Sequence, residues 1–435
     1  MPTSVLTSRQ SRGSRARPFR FLSTAALVAF VALFAACGGG GGSSNSSSSG
    51  GNSNGSSGNG NGSGGSAAVP SPTQQPTAAT AANTVAVTVN SGLTGTLPNI
   101  PTVSVTICVP GTSTCQTVDN VQVDTASFGL RLLASALPNL LNSLPAAAAN
   151  GGTLAECTAF ADGYTWGTVR PADVKIGGET ASSIPVQVIG DLGSNTVPQA
   201  CAGFGDPQNT VQDLGANGIL GIGVAPYDSF GSYFACPGNA NCSAVTVTQT
   251  QLVANPVPRF GTDGNGVILE MAPVSDSGAP SATGTLVFGI GTQPNNAMTA
   301  SQSFTTDSSG RLSATFNGRT LQAFLDSGSN AIFFANGNLP QCGGNLGTFY
   351  CPSSTQSFSA ALVSHNGATS GTAVFNVANA NALLGSGANY AANNLAGEYG
   401  SSASLDLGLS FFYGRYVYYG MDMTASGGKA PYVAY

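Results

Sequence analysis

Two aspartates stand at the ends of apolar runs, and each is followed by a short turn of small and hydroxyl residues. Asp124 ends the run Val-Gln-Val-Asp, and Asp326 ends the run Ala-Phe-Leu-Asp. The turn residues are Thr125, Ala126 and Ser127 in the first copy and Ser327, Gly328 and Ser329 in the second. A single aspartate in such a place is usually a turn residue that bonds its own backbone. Because the pattern occurs twice, we expect the two turns to face each other across one cleft.

Paired carboxyl groups can perform general acid–base chemistry. Two carboxyls about 3 Å apart cannot both ionise, so they share a proton and titrate as a pair. The ionised member can take a proton from a water, and the protonated member can give one to a carbonyl oxygen under attack. The sequence therefore predicts Asp124 and Asp326 as a catalytic pair for hydrolysis without a covalent intermediate, a cofactor or a metal.

The elements that position these turns are predicted to be strands in two similar lobes. Alternating apolar runs recur, for example at residues 84–89 and 103–107, while long charged helix formers are rare. Each aspartate is followed, after a long insertion, by an apolar stretch with a glycine, at residues 217–223 and 405–422. Gly221 suits a buried strand that passes close to another backbone. We predict an N-terminal β-lobe at 83–290 and a C-terminal β-lobe at 291–435.

The order of these segments resembles that of the pepsin-like aspartic proteases, over residues 95–424. Within that superfamily the chain looks most like a set of bacterial secreted lipoproteins. The resemblance implies an all-β, bilobal acid-protease fold with a cleft between the lobes and a flap over it. It also implies that Thr125 and Ser327 bond across to the opposite turn, and that Ser127 and Ser329 bond the outer carboxylate oxygens. By position the flap is residues 153–174, with Phe160 and Tyr164 as its candidate aromatic residues.

Two departures from the family pattern leave the function open. Ala126 replaces the usual glycine of the first motif, and Phe160 lacks the hydroxyl of the family's flap tyrosine. The first hypothesis is an aspartic endopeptidase that acts on an extended peptide bound through its backbone. The alternative is a catalytically weak or inactive pseudo-protease that binds peptide or a partner protein at the cell envelope. A third is a structural or adhesion protein that only looks bilobal.

The N-terminus has the pattern of an export signal. Residues 1–20 carry five arginines and no acid, residues 21–36 are apolar or small, and Cys37 precedes a glycine run. This resembles a bacterial lipoprotein signal at 1–36 with lipidation at Cys37. The alternative is a transmembrane anchor, although the apolar stretch is shorter than the about 20 residues that span a bilayer. Residues 37–82 are rich in Gly, Ser and Asn, which predicts a flexible tether. We expect a monomeric outer-membrane lipoprotein.

Composition limits the partners of the body. Charged residues make up 7% of the chain, and without residues 1–36 eight basic residues face eighteen acidic ones. That balance argues against nucleic acid, because no basic patch is available to neutralise phosphates. The expected partners are a peptide segment in the cleft and a membrane reached through the lipid on Cys37.

Eight cysteines follow Cys37, an even number in a chain predicted to be exported, which favours disulfides. Short spacings suggest three local pairs and leave one long-range pair, although sequence does not establish the connectivity. The suggested pairs are Cys108–Cys115, Cys157–Cys201, Cys236–Cys242 and Cys342–Cys351. A zinc site is the alternative, but the chain has no C-x-x-C motif and a single histidine, His365.

Overall fold

The computed structural model describes residues 68–238, 242–398 and 402–435. Within these ranges the chain forms mostly strands, with three α-helices of four or five residues, α1 (Gln199–Ala202), α2 (Val211–Leu214) and α3 (Ala380–Leu384). The strands are β1 (Thr84–Val89), β2 (Thr102–Cys108), β3 (Cys115–Asp124), β4 (Phe128–Leu133), β5 (Ala148–Ala149), β6 (Gly152–Phe160), β7 (Gly163–Ile176), β8 (Glu179–Ile189), β9 (Asp206–Pro207), β10 (Gly218–Ile222), β11 (Ser232–Cys236), β12 (Ser243–Ala244), β13 (Gly266–Met271), β14 (Ala282–Phe288), β15 (Ser303–Thr305), β16 (Leu312–Phe316), β17 (Arg319–Asp326), β18 (Ile332–Phe333), β19 (Gln356–Val363), β20 (Ser370–Val377), β21 (Ala396–Gly397), β22 (Ser404–Gly408), β23 (Tyr416–Gly420) and β24 (Tyr432–Ala434).

A three-strand unit occurs once in each half of the chain. In the first half, β10 lies between β3 and β4, parallel to β3 and antiparallel to β4. In the second half, β22 lies between β17 and β18, parallel to β17 and antiparallel to β18. The repeat confirms the prediction of an all-β, bilobal fold of the pepsin-like acid-protease type.

Glycines let the central strand of each unit pass under the turn that carries the aspartate. Gly221 pairs with Asp124, and Gly408 pairs with Asp326. A Cβ on Gly221 would lie 2.8 Å from the Gly129 carbonyl oxygen, and one on Gly408 would lie 2.0 Å from that of Ala331. Both contacts are too short for a side chain, which is why the apolar stretches contain glycine there.

The two halves also share a sheet. Strand pairing runs from β15 through β24, β23, β13 and β14 to β1. Three of these strands precede residue 290 and three follow it, so the backbone hydrogen bonds between β13 and β23 join the two halves. The largest apolar core cluster likewise takes residues from both halves, including Val123, Leu220, Leu325 and Leu407.

The structure corrects the C-terminal end of the predicted tether. Val69 N–H donates to Asn376 Oδ1 at 3.1 Å, and Asn376 Nδ2 donates to the Val69 carbonyl at 2.9 Å. Thr77 donates to Glu270 Oε2 from both its N–H, at 2.7 Å, and its hydroxyl, at 2.8 Å. These bonds hold the chain against the body from residue 69 onward. The predicted signal, the lipidation site Cys37 and the rest of the tether lie outside the described residues.

The four disulfides join the pairs that the spacings suggested: Cys108–Cys115, Cys157–Cys201, Cys236–Cys242 and Cys342–Cys351. Four disulfides are typical of a protein that folds in an extracellular or periplasmic compartment. In the part of the chain that the structure describes, no helix is both long and apolar enough to cross a membrane.

Candidate active site

Hydrogen bonds between the two turns bring the aspartates to one place. Ser327 N–H donates to Thr125 Oγ1 at 2.9 Å, and that hydroxyl donates to the Leu325 carbonyl at 3.3 Å. In the other direction, Ser327 Oγ donates to the Val123 carbonyl at 2.7 Å. Each turn is thus bonded to the strand that precedes the other turn, as the family resemblance implies for Thr125 and Ser327.

The two carboxyl groups converge around Gly328. A Cβ built on Gly328 would lie 2.8 Å from Asp124 Oδ1 and 3.0 Å from Asp326 Oδ1. Because both oxygens lie within 3.0 Å of that one point, they are at most about 6 Å apart, which is within the range of strong charge coupling. The glycine leaves the carboxyls room to approach each other.

Backbone N–H groups hold each carboxylate in its turn. Ala126 and Ser127 N–H donate to Asp124 Oδ1 at 2.9 and 3.2 Å. In the second turn, Gly328 and Ser329 N–H donate to Asp326 Oδ1 at 2.8 and 3.2 Å. The bond from Ala126 is therefore within 0.1 Å of the one from its glycine counterpart, so the methyl group has not displaced the N–H from the carboxylate.

The serine hydroxyls differ between the turns. Ser329 Oγ donates to Asp326 Oδ2 at 2.9 Å, as expected. Ser127 Oγ is buried and has no hydrogen-bond partner among the described residues, so the expected bond to Asp124 is not formed. Ser127 Oγ instead lies against Gly221, 2.8 Å from where a Cβ would stand.

The surroundings of Asp326 also perturb its pKa. Burial, and then the negative charge of Asp124, raise the pKa of Asp326 to about 7, against the lowering effect of hydrogen bonds from the Ser329 hydroxyl and the turn N–H groups. Asp326 is therefore protonated in weakly acidic solution.

A third carboxyl lies behind the pair, and sequence reasoning gave it no role. Asp406 is 2% exposed and lies on β22, opposite Phe324 of β17. Burial, and then the charge of Asp326, raise its pKa well above the ordinary range. The available signal was a charged residue inside the otherwise apolar run Leu405 to Gly408.

The predicted flap, residues 153–174, corresponds to the β6–β7 hairpin, whose turn is residues 161–162. Phe160 and Gly163 are its last paired residues, and the Phe160 ring centroid lies 5.9 Å from the Arg131 guanidinium carbon. Tyr164 pairs with Ala159 on the opposite face, where it is 5% exposed and packs in a cluster with Trp166 and Cys201. Of the two flap candidates, the structure therefore places Phe160 toward the buried Arg131 and Tyr164 away from it.

Arg131, seven residues after Asp124, lies on β4 and is fully buried against the β6–β7 hairpin and the loop at Asp228. Its Nη2 donates to Glu156 Oε1 at 3.1 Å, to Thr158 Oγ1 at 3.0 Å and to Asp228 Oδ2. Burial raises the pKa of Glu156 to about 7, against the lowering effect of Arg131. The arginine inside the apolar strand Phe128–Leu133 was the sequence signal for this cluster.

None of the curated proteins matches the chain. Among solved structures, the aspartic proteinase from Irpex lacteus matches with a TM-score of 0.43 and 16% sequence identity, covering 81% of this chain and 97% of that one. A family model described as "protein of unknown function (DUF3443)" matches residues 79–435. The chain therefore belongs to the DUF3443 family.

Proposed function

We propose that this protein is an aspartic endopeptidase in which Asp124 and Asp326 share a proton and activate a water between them. The observation that carries the proposal is the convergence of the two carboxyls at Gly328, held by hydrogen bonds in both directions between the turns. Asp124, ionised, takes a proton from the water. Asp326, protonated, gives one to the carbonyl oxygen of the scissile bond, so the hydrolysis needs no covalent intermediate.

The substrate that fits this arrangement is an extended peptide. A strand in a cleft bonds through its backbone, and its side chains then meet the walls on alternate sides. Phe160, at the end of the flap hairpin and only partly buried, is the side chain that would cover it. We propose that the protein acts as a monomer, exported and held at the outer membrane by a lipid on Cys37.

A second candidate function is peptide binding without cleavage. The observations in its favour are in the first turn, where Ala126 stands in place of glycine and the Ser127 hydroxyl is unpaired among the described residues. A turn that holds its carboxylate by fewer bonds would position the water less well. The fold and the cleft would be retained.

The experiment that separates the two uses the full chain, purified from membranes in detergent. Unfolded casein and a mixed peptide library are incubated with it from acid to neutral pH. We expect cleavage that is lost in Asp124→Asn and in Asp326→Asn, with circular dichroism spectra unchanged. Absence of cleavage by the folded wild-type protein at every pH would leave peptide binding as the function.

Lipidation at Cys37 is tested in a separate experiment. An alkyne-tagged fatty acid supplied to expressing cells should label the wild-type chain and not Cys37→Ala. Labelling of both proteins would contradict lipidation at Cys37 and leave the endopeptidase proposal intact.

A further inference from the structure

We infer that the body carries a binding site for a proline-rich, extended peptide segment, and that residues 69–77 of the same chain occupy it. This segment site is formed by side chains of β13, β14 and β20, by the loops next to them and by the start of β23. It uses no residue of the aspartate turns, and binding there does not require catalysis by the aspartate pair.

The segment has the composition of a polyproline II helix. Residues 69–77 are Val-Pro-Ser-Pro-Thr-Gln-Gln-Pro-Thr, and these residues, all within the described ranges, form neither helix nor strand. A polyproline II helix has three residues per turn and no internal hydrogen bonds, so residues three apart share a face and the backbone groups are free for a partner. Prolines hold the chain extended before it binds, which lowers the entropy cost of docking.

Every third side chain of the segment bonds the body. Ser71 Oγ donates to Asp276 Oδ1 at 2.6 Å, Gln74 Oε1 accepts from the Tyr416 N–H at 3.2 Å, and Thr77 Oγ1 donates to Glu270 Oε2 at 2.8 Å. The side chains of Thr73 and Gln75 are exposed and make no hydrogen bond within the described ranges. The spacing of the bonded side chains matches one face of a polyproline II helix.

Buried side chains bond the backbone at both ends of the segment. Asn376 bonds both backbone groups of Val69, because its Oδ1 accepts from the N–H at 3.1 Å and its Nδ2 donates to the carbonyl at 2.9 Å. At the other end, Glu270 Oε2 accepts from the Thr77 N–H at 2.7 Å, and Thr285 Oγ1 donates to the Thr77 carbonyl at 2.5 Å. All three body side chains are buried, so the polar partners of the segment are built into the fold.

Gly414 lies against the middle of the segment. Its carbonyl accepts from the Gln74 N–H at 3.0 Å, and its φ is +70°. A Cβ at this position would stand 2.1 Å from the Pro72 carbonyl oxygen, so glycine is required for the segment to pass. The cavity that Pro72 lines also has the aromatic rings of Phe411 and Tyr413 in its wall. Aromatic walls are typical of grooves that bind proline-rich segments.

These contacts are non-covalent and involve one contiguous stretch of nine residues. The site should therefore accept the same stretch as a separate peptide, once the contacts of the chain's own copy are weakened. In the intact chain, covalent linkage gives the segment a high effective concentration at the site, so the chain's own copy is the occupant.

The test uses the purified full chain and a fluorescein-labelled peptide with the sequence of residues 68–79. A face variant combines Ser71→Ala, Gln74→Ala and Thr77→Ala. A control variant combines Thr73→Ala and Gln75→Ala, which change the same residue types where the side chains are exposed. Fluorescence anisotropy measures peptide binding, and mass spectrometry measures hydrogen exchange of the amides in residues 69–77.

In the wild type and the control variant we expect slow exchange of these amides and little peptide binding, because the site is occupied. In the face variant the amides should exchange roughly tenfold faster or more, since three hydrogen bonds are lost. The peptide should bind the face variant at least about tenfold more tightly than the wild type. A peptide of the same residues in scrambled order should not bind.

Equal exchange in the face and control variants would overturn the inference, and so would equal binding of the ordered and scrambled peptides or no peptide binding to the face variant. If the face variant does not fold, Asn376→Ala replaces it, with Asn338→Ala, at an exposed asparagine, as its control. The amides of residues 69–77 should then exchange faster in Asn376→Ala, and equal exchange in these two variants would again overturn the inference. Neither readout needs turnover, so absence of proteolysis would count only against the proposed function.

Discussion

The two aspartate turns have the same backbone connections but different side-chain surroundings. In both, the carboxylate ends a strand, accepts two turn N–H groups and lies beside a glycine of the neighbouring central strand. The second turn adds a bond from the Ser329 hydroxyl and has the buried Asp406 on the neighbouring strand. In the first turn the Ser127 hydroxyl has no hydrogen-bond partner among the described residues, and Ile219 stands at the position that matches Asp406. The backbone thus fixes the positions of the two carboxyl groups in the same way, whereas the side chains around them differ between the turns.

The comparison extends seven residues past each aspartate. In the first half that position is Arg131, which is buried and paired with Glu156 and Asp228. In the second half it is Phe333, which packs against Phe349 with ring centroids 6.3 Å apart. One half therefore supports its cleft wall with a charged cluster and the other with an apolar contact.

The largest effect is expected from breaking the charged cluster. Arg131→Met leaves two buried carboxylates without their cation, which should lower the free energy of unfolding by about 3–5 kcal/mol. The counterpart change Phe333→Leu should cost less than about 1.5 kcal/mol, because it conserves most of the apolar volume. Urea denaturation of both variants measures the difference.

If the loss in Arg131→Met comes from uncompensated charge, adding Glu156→Gln and Asp228→Asn should restore part of it. A triple variant as unstable as Arg131→Met would instead indicate that the loss comes from packing of the arginine side chain.

Gly328 and Ala126 occupy matching positions, so exchanging them tests whether the turns are interchangeable. In Gly328→Ala the new methyl would stand 2.7 Å from Asp124 Cγ and push the carboxyls apart. We expect kcat/KM for peptide hydrolysis to fall about 100-fold, since a displacement of about 1 Å at a catalytic group has that cost. Ala126→Gly should retain or increase activity. A Gly328→Ala variant as active as wild type would show that the carboxyls need not converge there.

The pH dependence of hydrolysis tests which aspartate holds the proton. Because Asp326 must be protonated to act as the acid, activity should fall as pH rises through its pKa of about 7. The direction follows from burial and from the charge of Asp124, both of which favour the protonated form. A profile of kcat/KM against pH measures this limb. Activity that rises through pH 7 would contradict the assignment of Asp326 as the acid.

The Thr125 hydroxyl makes two hydrogen bonds to the opposite turn, whereas the Ser327 hydroxyl makes one. Single substitutions of these residues should therefore lower the free energy of unfolding by different amounts. Thr125→Val removes the acceptor for Ser327 N–H, which leaves that buried backbone group unpaired, and one of two donors to the Leu325 carbonyl, which keeps its bond from the Tyr419 hydroxyl. Ser327→Ala removes only the donor to the Val123 carbonyl. We expect losses of about 2 and about 1 kcal/mol in the free energy of unfolding. Equal losses would mean that the two hydroxyls are equivalent.

The smallest effect is expected at Ser127. Since its hydroxyl bonds nothing among the described residues, Ser127→Ala should change the free energy of unfolding by no more than about 0.5 kcal/mol and leave activity near that of wild type. Ser329→Ala, which removes the bond to Asp326, should lower activity clearly. If Ser127→Ala has the same effect on activity as Ser329→Ala, Ser127 bonds Asp124 during the reaction.

Much of the fold could be predicted because its signals are local and repeated. Alternating apolar residues predicted strands, the even cysteine count favoured disulfides, and the glycines of the two apolar stretches predicted close backbone approach. Each of these follows from steric or solvation requirements of a few neighbouring residues. The tether prediction failed at residues 69–77, because the partners that hold this polar segment, Asn376 and Glu270, are about 190 to 310 residues away in sequence.

The amino-acid sequence by itself determined that two aspartates end two strands, that each is followed by a turn of small and hydroxyl residues, and that a glycine-containing strand comes later in each half. Only the tertiary structure decided that Gly328 brings the carboxyls together, that Ser329 bonds its aspartate while Ser127 does not, and that Asp406 and Arg131 are buried beside the site. The reason is that burial and charge coupling depend on distances between groups that the chain separates by up to about 280 residues, and no local pattern records those distances.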